Sequence, residues 1–348
     1  MVSCIYCSTP FERVPSAPPN SAIMACKNCL NPCVLFFDGT AWKSEIPRGW
    51  QDLRTVSANE SIGLQVLSAA LKASEQLPVL PAVAHRIMEM VRDPDVVIGD
   101  ITELIRTDAV IAMKILRLAN SPLYAGLSEI KDLHAACVRL GMKTVAGVVH
   151  AIANGRLYVT RDPHYQEMMQ TLWQHALATA YCASELSMML AQPQKDVYFI
   201  AGLVHDVGKV VLLDLVSNVL PRDEAPVIRT LRQSRDLLLE VMDIYHPLIG
   251  LHVVQQWNLP SDFGIATFFH EQPDFAPNEA WLMLSHIIAF SSAVATVSGF
   301  GLKNENISLL SLPSTKFLGL SDIKIASLRV NLEDKVKTLL EVAPPSAA

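Results

Sequence analysis

The segment AGLVHDVGKVVLL, Ala201 to Leu213, sets His205 beside Asp206 inside an otherwise apolar run. An ionised Asp in such surroundings is costly unless a metal, a cation or several hydrogen-bond donors compensate it. Imidazole and carboxylate together suit a divalent metal with open positions. Gly208 is placed to end the helix, and Lys209 brings one positive charge to the same corner. Adjacent helical residues point about 100° apart, so both members of the doublet face one ion only near a helix end. The plainer arrangement is an Asp capping the next helix with a His packed beside it. Four functional groups within five residues favour a metal-type site, present or ancestral.

A second set of metal-binding side chains stands at the amino terminus. Five of the seven cysteines lie in the first 33 residues, and Cys4-x2-Cys7 and Cys26-x2-Cys29 are separated by eighteen residues. Each pair suits a tight turn whose two thiolates grip one ion, and four thiolates complete a closed tetrahedral Zn2+ site. Cys33 is an alternative ligand. A segment this short cannot bury enough core to fold alone, so the metal would supply the missing stability. It resembles a short zinc ribbon. Its acids and bases balance, which favours protein docking or a structural role over DNA contact. Cys137 and Cys182 sit singly in apolar stretches and read as core. This usage indicates a reducing compartment, hence a cytoplasmic protein, rather than a disulfide framework.

The elements that carry these groups are mostly helical. Residues 1–46 hold the cysteine pairs and a short β-like run, VLFFDGTAW, in which Asp38-Gly39 signals a hairpin. Residues 47–59 form a polar linker. From Glu60 onward, Pro81 opens a segment with apolar Val83, Ile87, Met90 and Val91, and the DPD at Asp93 to Asp95 ends it. Asp100 and Asp108 are placed to cap the next two helices. The ANSP step, Ala119 to Pro122, is a turn in which Asn120 and Ser121 bond the local backbone. Asp162-Pro163 begins a long helix through Trp173 and Leu186, and Pro247, Pro260 and Pro277 mark later starts. Residues 343–348 read as a disordered tail.

Composition narrows the function. With 51% hydrophobic and 18% charged residues the chain can bury a large core. A formal charge of −6, with no lysine- or arginine-rich run, gives no strong nucleic-acid signal. Ala280 to Leu302 carries no acid, Lys or Arg, yet it contains His286 and several Ser and Thr and lacks a basic flank. It reads as a buried helix, with no membrane span expected.

HDxGK after an apolar helix resembles the signature of HD-type phosphohydrolases, whose metal centre uses a His, the His-Asp doublet and a distant Asp. The surrounding sequence is closer to one branch, the HDOD (HD-related output domain) proteins, bacterial signalling modules generally regarded as non-catalytic. LPVLPAVAHRIMEMV (Leu77 to Val91), MKILRLANSPLY (Met113 to Tyr124) and LHAACVRLGMKTV (Leu133 to Val145) are similar to its first half. WQHALATA (Trp173 to Ala180), YHPLIGLHVVQQWNLP (Tyr245 to Pro260) and FFHEQPD (Phe268 to Asp274) are similar to its second. The resemblance implies an all-α, two-part HDOD body behind a small β-rich zinc ribbon. That body runs over residues 60–275, its first half ending near 154, with helices over 276–342 completing the HD-like half. Arg117, Asn120 and Tyr124 fall in the stretch most characteristic of the branch. They are expected to pin a helix-to-turn junction, Arg117 by satisfying exposed carbonyls.

The resemblance also allows the ligands to be counted. His175 matches the upstream His of HD enzymes, His205 and Asp206 the doublet, and Lys209 the following Lys. His246 and His270 match further His positions used where two or three metals bind. Two features are missing. Phe269-His270 stands where the multi-metal branch has two His, and no Asp or Glu occurs between Ala280 and Asn304, where the distant acid belongs. The remaining histidines, His85, His134, His150, His164, His252 and His286, have no evident special role. The expectation is a non-enzymatic output module with Zn2+ at its cysteines and no metal in the HD pocket. It would bind a signalling protein or a small ligand. The alternative is a metal-dependent phosphohydrolase of nucleotides or cyclic dinucleotides, taking its missing acid from elsewhere, such as Asp214 or Glu271.

Overall fold

A computed structural model describes residues 21–25, 32–37, 42–45, 66, 69–70, 82–91, 93, 95–122, 124, 130–155, 157–192, 195–218, 226–257, 259–303, 306–330 and 332–342. Cys4, Cys7, Cys26 and Cys29, residues 47–59 and residues 343–348 lie outside these. The described residues are mainly helical and divide into two compact units, each made of two stretches of chain. The first comprises residues 1–77 and 204–289, the second residues 78–203 and 290–348. The helix from Pro163 packs on the C-terminal helices of the second unit.

In the first unit, β1 (Ser21–Ala25), β2 (Pro32–Phe37) and β3 (Trp42–Glu45) form an antiparallel sheet in that order. Phe37 stands opposite Trp42, and Cys33 is buried on β2 opposite Met24. In the second unit come α1 (Ala82–Val91), α2 (Ile98–Arg106), α3 (Ala109–Ala119), α4 (Leu133–Leu140), α5 (Met142–Gly155), α6 (Pro163–Met189) and α7 (Lys195–Val204). The chain then enters the first unit through α8 (Val207–Asn218), α9 (Pro226–Gln233), α10 (Arg235–Gln256) and α11 (Ser261–Phe269). α12 (Glu279–Ala295) starts in the first unit and ends in the second. α13 (Pro313–Phe317), α14 (Asp322–Arg329) and α15 (Leu332–Val342) complete the second.

Several helix starts follow from side chains that satisfy the first backbone N–H groups. Asp132 accepts from Ala135 N at 2.8 Å, Asp162 from His164 N at 3.0 Å with Pro163 following, and Ser234 from Leu237 N at 3.2 Å. Asp108 caps α3 as expected, through Ile111 N at 3.1 Å. Asp100 differs. It lies inside the first turn of α2 and reaches back to Val97 N at 3.2 Å.

The junction motif works through a different arginine. Asn120 donates to Leu116 O at 3.1 Å and to Ile130 O at 2.7 Å, and accepts from Ile130 N at 2.8 Å. One side chain thus clamps the end of α3 to the approach to α4. Arg117 is 64% exposed with Glu341 3.9 Å away, and the carbonyl at the end of α3 is met by Arg139 instead, through Ala119 O at 3.2 Å. The turn geometry explains this. Arg117 points off the solvent side of α3, whereas Arg139 on α4 faces the open end of that helix.

Within the first unit α8 is apolar on every side, with Val207, Val210, Val211, Leu212, Leu213 and Val216 all buried. A helix of that kind sits at the centre of its unit. It packs chiefly on α10, which in turn packs on α11. Among the described residues, two helices, Arg235–Gln256 and residues 279–300, are long and apolar enough to cross a membrane, or three counting the bent pair over residues 133–155. In the first two, 67% and 56% of the apolar window is buried inside the fold.

Candidate functional site

The His-Asp doublet occupies the two-residue turn between α7 and α8, a helix end as the chemistry requires. Gly208 does not end a helix; it lies in the first turn of α8. A Cβ built there would stand 2.0 Å from His246 O and 2.8 Å from His246 Cα, so glycine is what lets α8 approach the α10 backbone. That approach brings His246 to Asp206.

Pro247 likewise starts nothing, since α10 runs through it. A proline inside a helix removes the N–H that would bond the carbonyl four residues back. That carbonyl belongs to Asp243. His246 Nδ1 lies 3.1 Å from Asp243 O and 2.7 Å from Met242 O. His270, just past the end of α11, repeats the pattern, with Nδ1 3.0 Å from Thr267 O and 3.2 Å from Ala266 O. Carbonyls only accept, so both Nδ1 atoms carry hydrogen and both rings turn their Nε2 atoms inward.

The Nε2 atoms converge on one carboxylate oxygen. His246 Nε2 is 3.2 Å and His270 Nε2 3.4 Å from Asp206 Oδ1, and the two Nε2 atoms are 3.1 Å apart. Lys209 Nζ bonds the other oxygen, Oδ2, at 2.9 Å, and His205 Nε2 is 3.5 Å from it. The His205 ring also meets His270 edge to face, with centroids 4.8 Å apart. Glu271 Oε1 closes the cluster from its more exposed side, 3.5 Å from His270 Nε2 and 3.8 Å from His246 Nε2. Asp206, His205, His246 and His270 are all buried.

Charge in the cluster is closed. Burial pushes the Asp206 carboxyl up, but His205, Lys209, His270 and His246 outweigh it and hold the group well below the usual carboxylate range. Burial lowers Lys209, and Asp206 and Glu271 more than restore it. Between two Nε2 atoms at this distance there is room for one proton, so the rings divide. Burial and Lys209 push His246 down to about 3. His270 works against its burial through hydrogen bonds to Asp206 and Glu271 and rises to about 9. Glu271 is opposed by burial but held below its ordinary value by His270 and Lys209. The two anions, Asp206 and Glu271, therefore face the two cations, Lys209 and His270.

The same atoms also fit one divalent cation. Ligands about 2.1 Å from an ion lie about 3.0 Å apart in octahedral and about 3.4 Å in tetrahedral coordination. The three edges of the Asp206–His246–His270 triangle, at 3.1, 3.2 and 3.4 Å, fall in that span. Of the two acids considered as extra ligands, Glu271 reaches this triangle. An ion there would supply positive charge and polarise a bound water.

His175 lies on α6 in the second unit. Its Nδ1 is 3.0 Å from Phe300 O, and its Nε2 is 3.1 Å from Ser292 Oγ. Ser292 lies in the stretch where the distant acid was expected, and it offers His175 a neutral hydroxyl. One pair escaped the sequence reading altogether. His286, fully buried on α12, has Nε2 3.2 Å from Asp274 Oδ1. Twelve residues of separation across a turn give no periodic signal for it.

The described residues are mainly helical, with an HD doublet between two helices and histidines from two more. The chain belongs to the HDOD domain family, whose sequence profile matches residues 77–273. An uncharacterised protein of Treponema pallidum (strain Nichols) is 25% identical over 261 residues, 71% of this chain and 49% of that protein. The chain thus spans about half the length of the curated relative it matches. Among solved structures, an HDOD domain protein of unknown function from Geobacter sulfurreducens superposes with a TM-score of 0.64 at 23% identity, covering 80% of this chain and 98% of that one. A Marinobacter aquaeolei VT8 protein provisionally named for signal transduction gives 0.61 at 22% identity, covering 84% and 67%. A Shewanella amazonensis SB2B protein provisionally named a metal-dependent phosphohydrolase gives 0.57 at 19%, covering 81% and 99%. These likenesses define the fold.

Proposed function

We propose that this chain is a non-catalytic, cytoplasmic signal-transduction output module that acts by binding a signalling protein or a small ligand. The observation that carries the reading is His175. It matches the upstream His of HD enzymes, and its Nε2 is hydrogen-bonded to the neutral hydroxyl of Ser292, in the stretch where the distant acid would lie. The cluster around Asp206 supports it independently, because Lys209 and His270 already neutralise the carboxylates. The names of the structural neighbours are divided between signalling and hydrolysis, so the argument rests on side chains. At the amino terminus, Cys4, Cys7, Cys26 and Cys29, with Cys33 in reserve, are proposed to hold one Zn2+.

Purified protein assayed with Mn2+ against a phosphodiester chromogen and cyclic dinucleotides should show no turnover above that of the His205→Ala variant. Turnover that disappears in His205→Ala would overturn the reading. Elemental analysis should give one zinc per chain, lost when Cys26 and Cys29 are replaced by Ser. The second reading, a metal-dependent phosphohydrolase, is favoured by the ligand triangle of Asp206, His246 and His270. Under it, iron, manganese or zinc should survive the cysteine replacement and vanish in Asp206→Asn.

A further inference from the structure

The C-terminal part of the second unit carries a surface that the histidine cluster does not use. One face of α14 lines a groove of about 310 Å³ with Asp322, Ile325, Ala326 and Arg329, opposite Val297 and Leu310. Ile325 and Leu328 are buried and hold the helix to its unit. The other apolar side chains here face water. Ile323 is 82%, Val330 62% and Leu310 57% exposed, and Ile323 is the most exposed large apolar side chain among the described residues. A cluster of this kind beside a groove marks an interaction surface rather than scattered exposure.

The pattern on α14 identifies the occupant. Residues 322, 323, 326, 329 and 330 stand four before, three before, at, three after and four after Ala326. They therefore form one stripe, and all five are exposed. The small Ala326 at its middle permits close approach of another backbone. The charges at the ends are opposite, Asp322 at one and Arg329 at the other, about 10 Å apart along the helix. An antiparallel copy of the same helix, related by a two-fold axis near Ala326, sets each Asp322 beside the other copy's Arg329. It also lays Ile323 and Val330 of one copy over those of the second. A surface that complements its own reverse is what an isologous dimer requires. We propose that the α14 stripe and its groove are the interface of a two-fold dimer of this chain.

Sedimentation velocity on the full chain across the micromolar range tests this. Wild type should dimerise, and Asp322→Arg or Arg329→Asp alone should weaken association by about tenfold or more, since each puts like charges together twice. The double variant D322R/R329D recreates both pairs and should recover association. A purely structural role predicts the opposite order. Asp322 and Arg329 also complement the dipole of α14, so the double reversal harms the helix more than either single change. Ile323→Asp alters a side chain that touches little of its own unit, so it should abolish the dimer while leaving the circular dichroism unchanged. A monomeric wild type, a dimer indifferent to the single reversals and to Ile323→Asp, or a double variant weaker than both singles would each overturn the proposal.

Discussion

Gly208→Ala is a one-methyl change with a steric consequence that can be worked out. The added Cβ would meet His246 O at 2.0 Å, and His246 C and Cα at 2.8 Å. All three are backbone atoms inside α10, so no side-chain rotation relieves the clash. The helices must separate by about 1 Å, and overpacking of this kind costs roughly 3 kcal/mol. Ala is the better helix former by up to about 1 kcal/mol, which offsets part of it. A net loss of about 2–3 kcal/mol lowers the Tm by roughly 4–12 °C for a unit of this size. Gly99 supplies the control, because it too is the second residue of a helix, and a Cβ there finds only Val97 Cγ2, 4.0 Å away. Gly99→Ala should leave the Tm unchanged or raise it. Thermal unfolding followed by circular dichroism compares the two directly. Equal Tm values for the two variants would refute the claim that close approach of α8 to α10 demands glycine.

Three other outcomes follow from the same geometry. Asp206→Asn leaves the buried Lys209 and His270 cations with Glu271 as their one remaining anion in the cluster and should cost about 3 kcal/mol in urea unfolding. The pH profile of stability should peak near the ordinary histidine pKa. His270, raised to about 9, contributes fully below about 6.5 and loses up to about 3 kcal/mol as pH rises to 9. His246, lowered to about 3, contributes above about 6.5 and loses its share as pH falls. A profile flat from pH 6.5 to 9 would contradict the cationic His270, and Asp206→Asn should remove that alkaline limb. Asn120→Ala breaks three hydrogen bonds at the end of α3 and should cost about 2–3 kcal/mol, with Asn120→Asp intermediate because it still accepts from Ile130 N. Equal stabilities of Asn120→Ala and Asn120→Asp would mean that the clamp on Ile130 does not matter.

Local signals carried the helical layout well. Asp108, Asp162 with Pro163, and Pro260 each sit at a helix start where their chemistry puts them. They work because a cap acts within three residues of itself, a range that sequence displays directly. The six motif segments likewise gave the family, and the doublet was placed at a helix end. What sequence did not display were long-range choices between similar residues. Arg117 and Arg139 are both basic residues near helix ends, and only the crossing of α3 and α4 decides which reaches Ala119 O. The convergence of His246 and His270 spans twenty-four residues and a change of helix, so no spacing rule gives the 3.1 Å between their rings. Asp274 and His286 pair across a turn for the same reason.

The features that departed from local rules share a location. Gly208 weakens the start of a central helix, Pro247 interrupts the ladder of α10, and Asp206 and Lys209 place charges in an apolar interior. Each departure alone is unfavourable. Together they are one construction. The glycine admits the α10 backbone, and the proline gives up the bond to Asp243 O that His246 then takes. With its Nδ1 fixed, His246 presents Nε2 to Asp206, and Lys209 holds the other carboxylate oxygen. Departures that coincide in this way mark a functional site, present or ancestral, because no single one is stable without the rest. Under the proposed non-catalytic reading, the same interdependence gives the cluster a reason to persist. It joins α8, α10 and the end of α11 at a single carboxylate, and loss of any charged member leaves another charge buried alone. An HD doublet can therefore serve as the joint of its helices, which is the role the proposed reading gives it here.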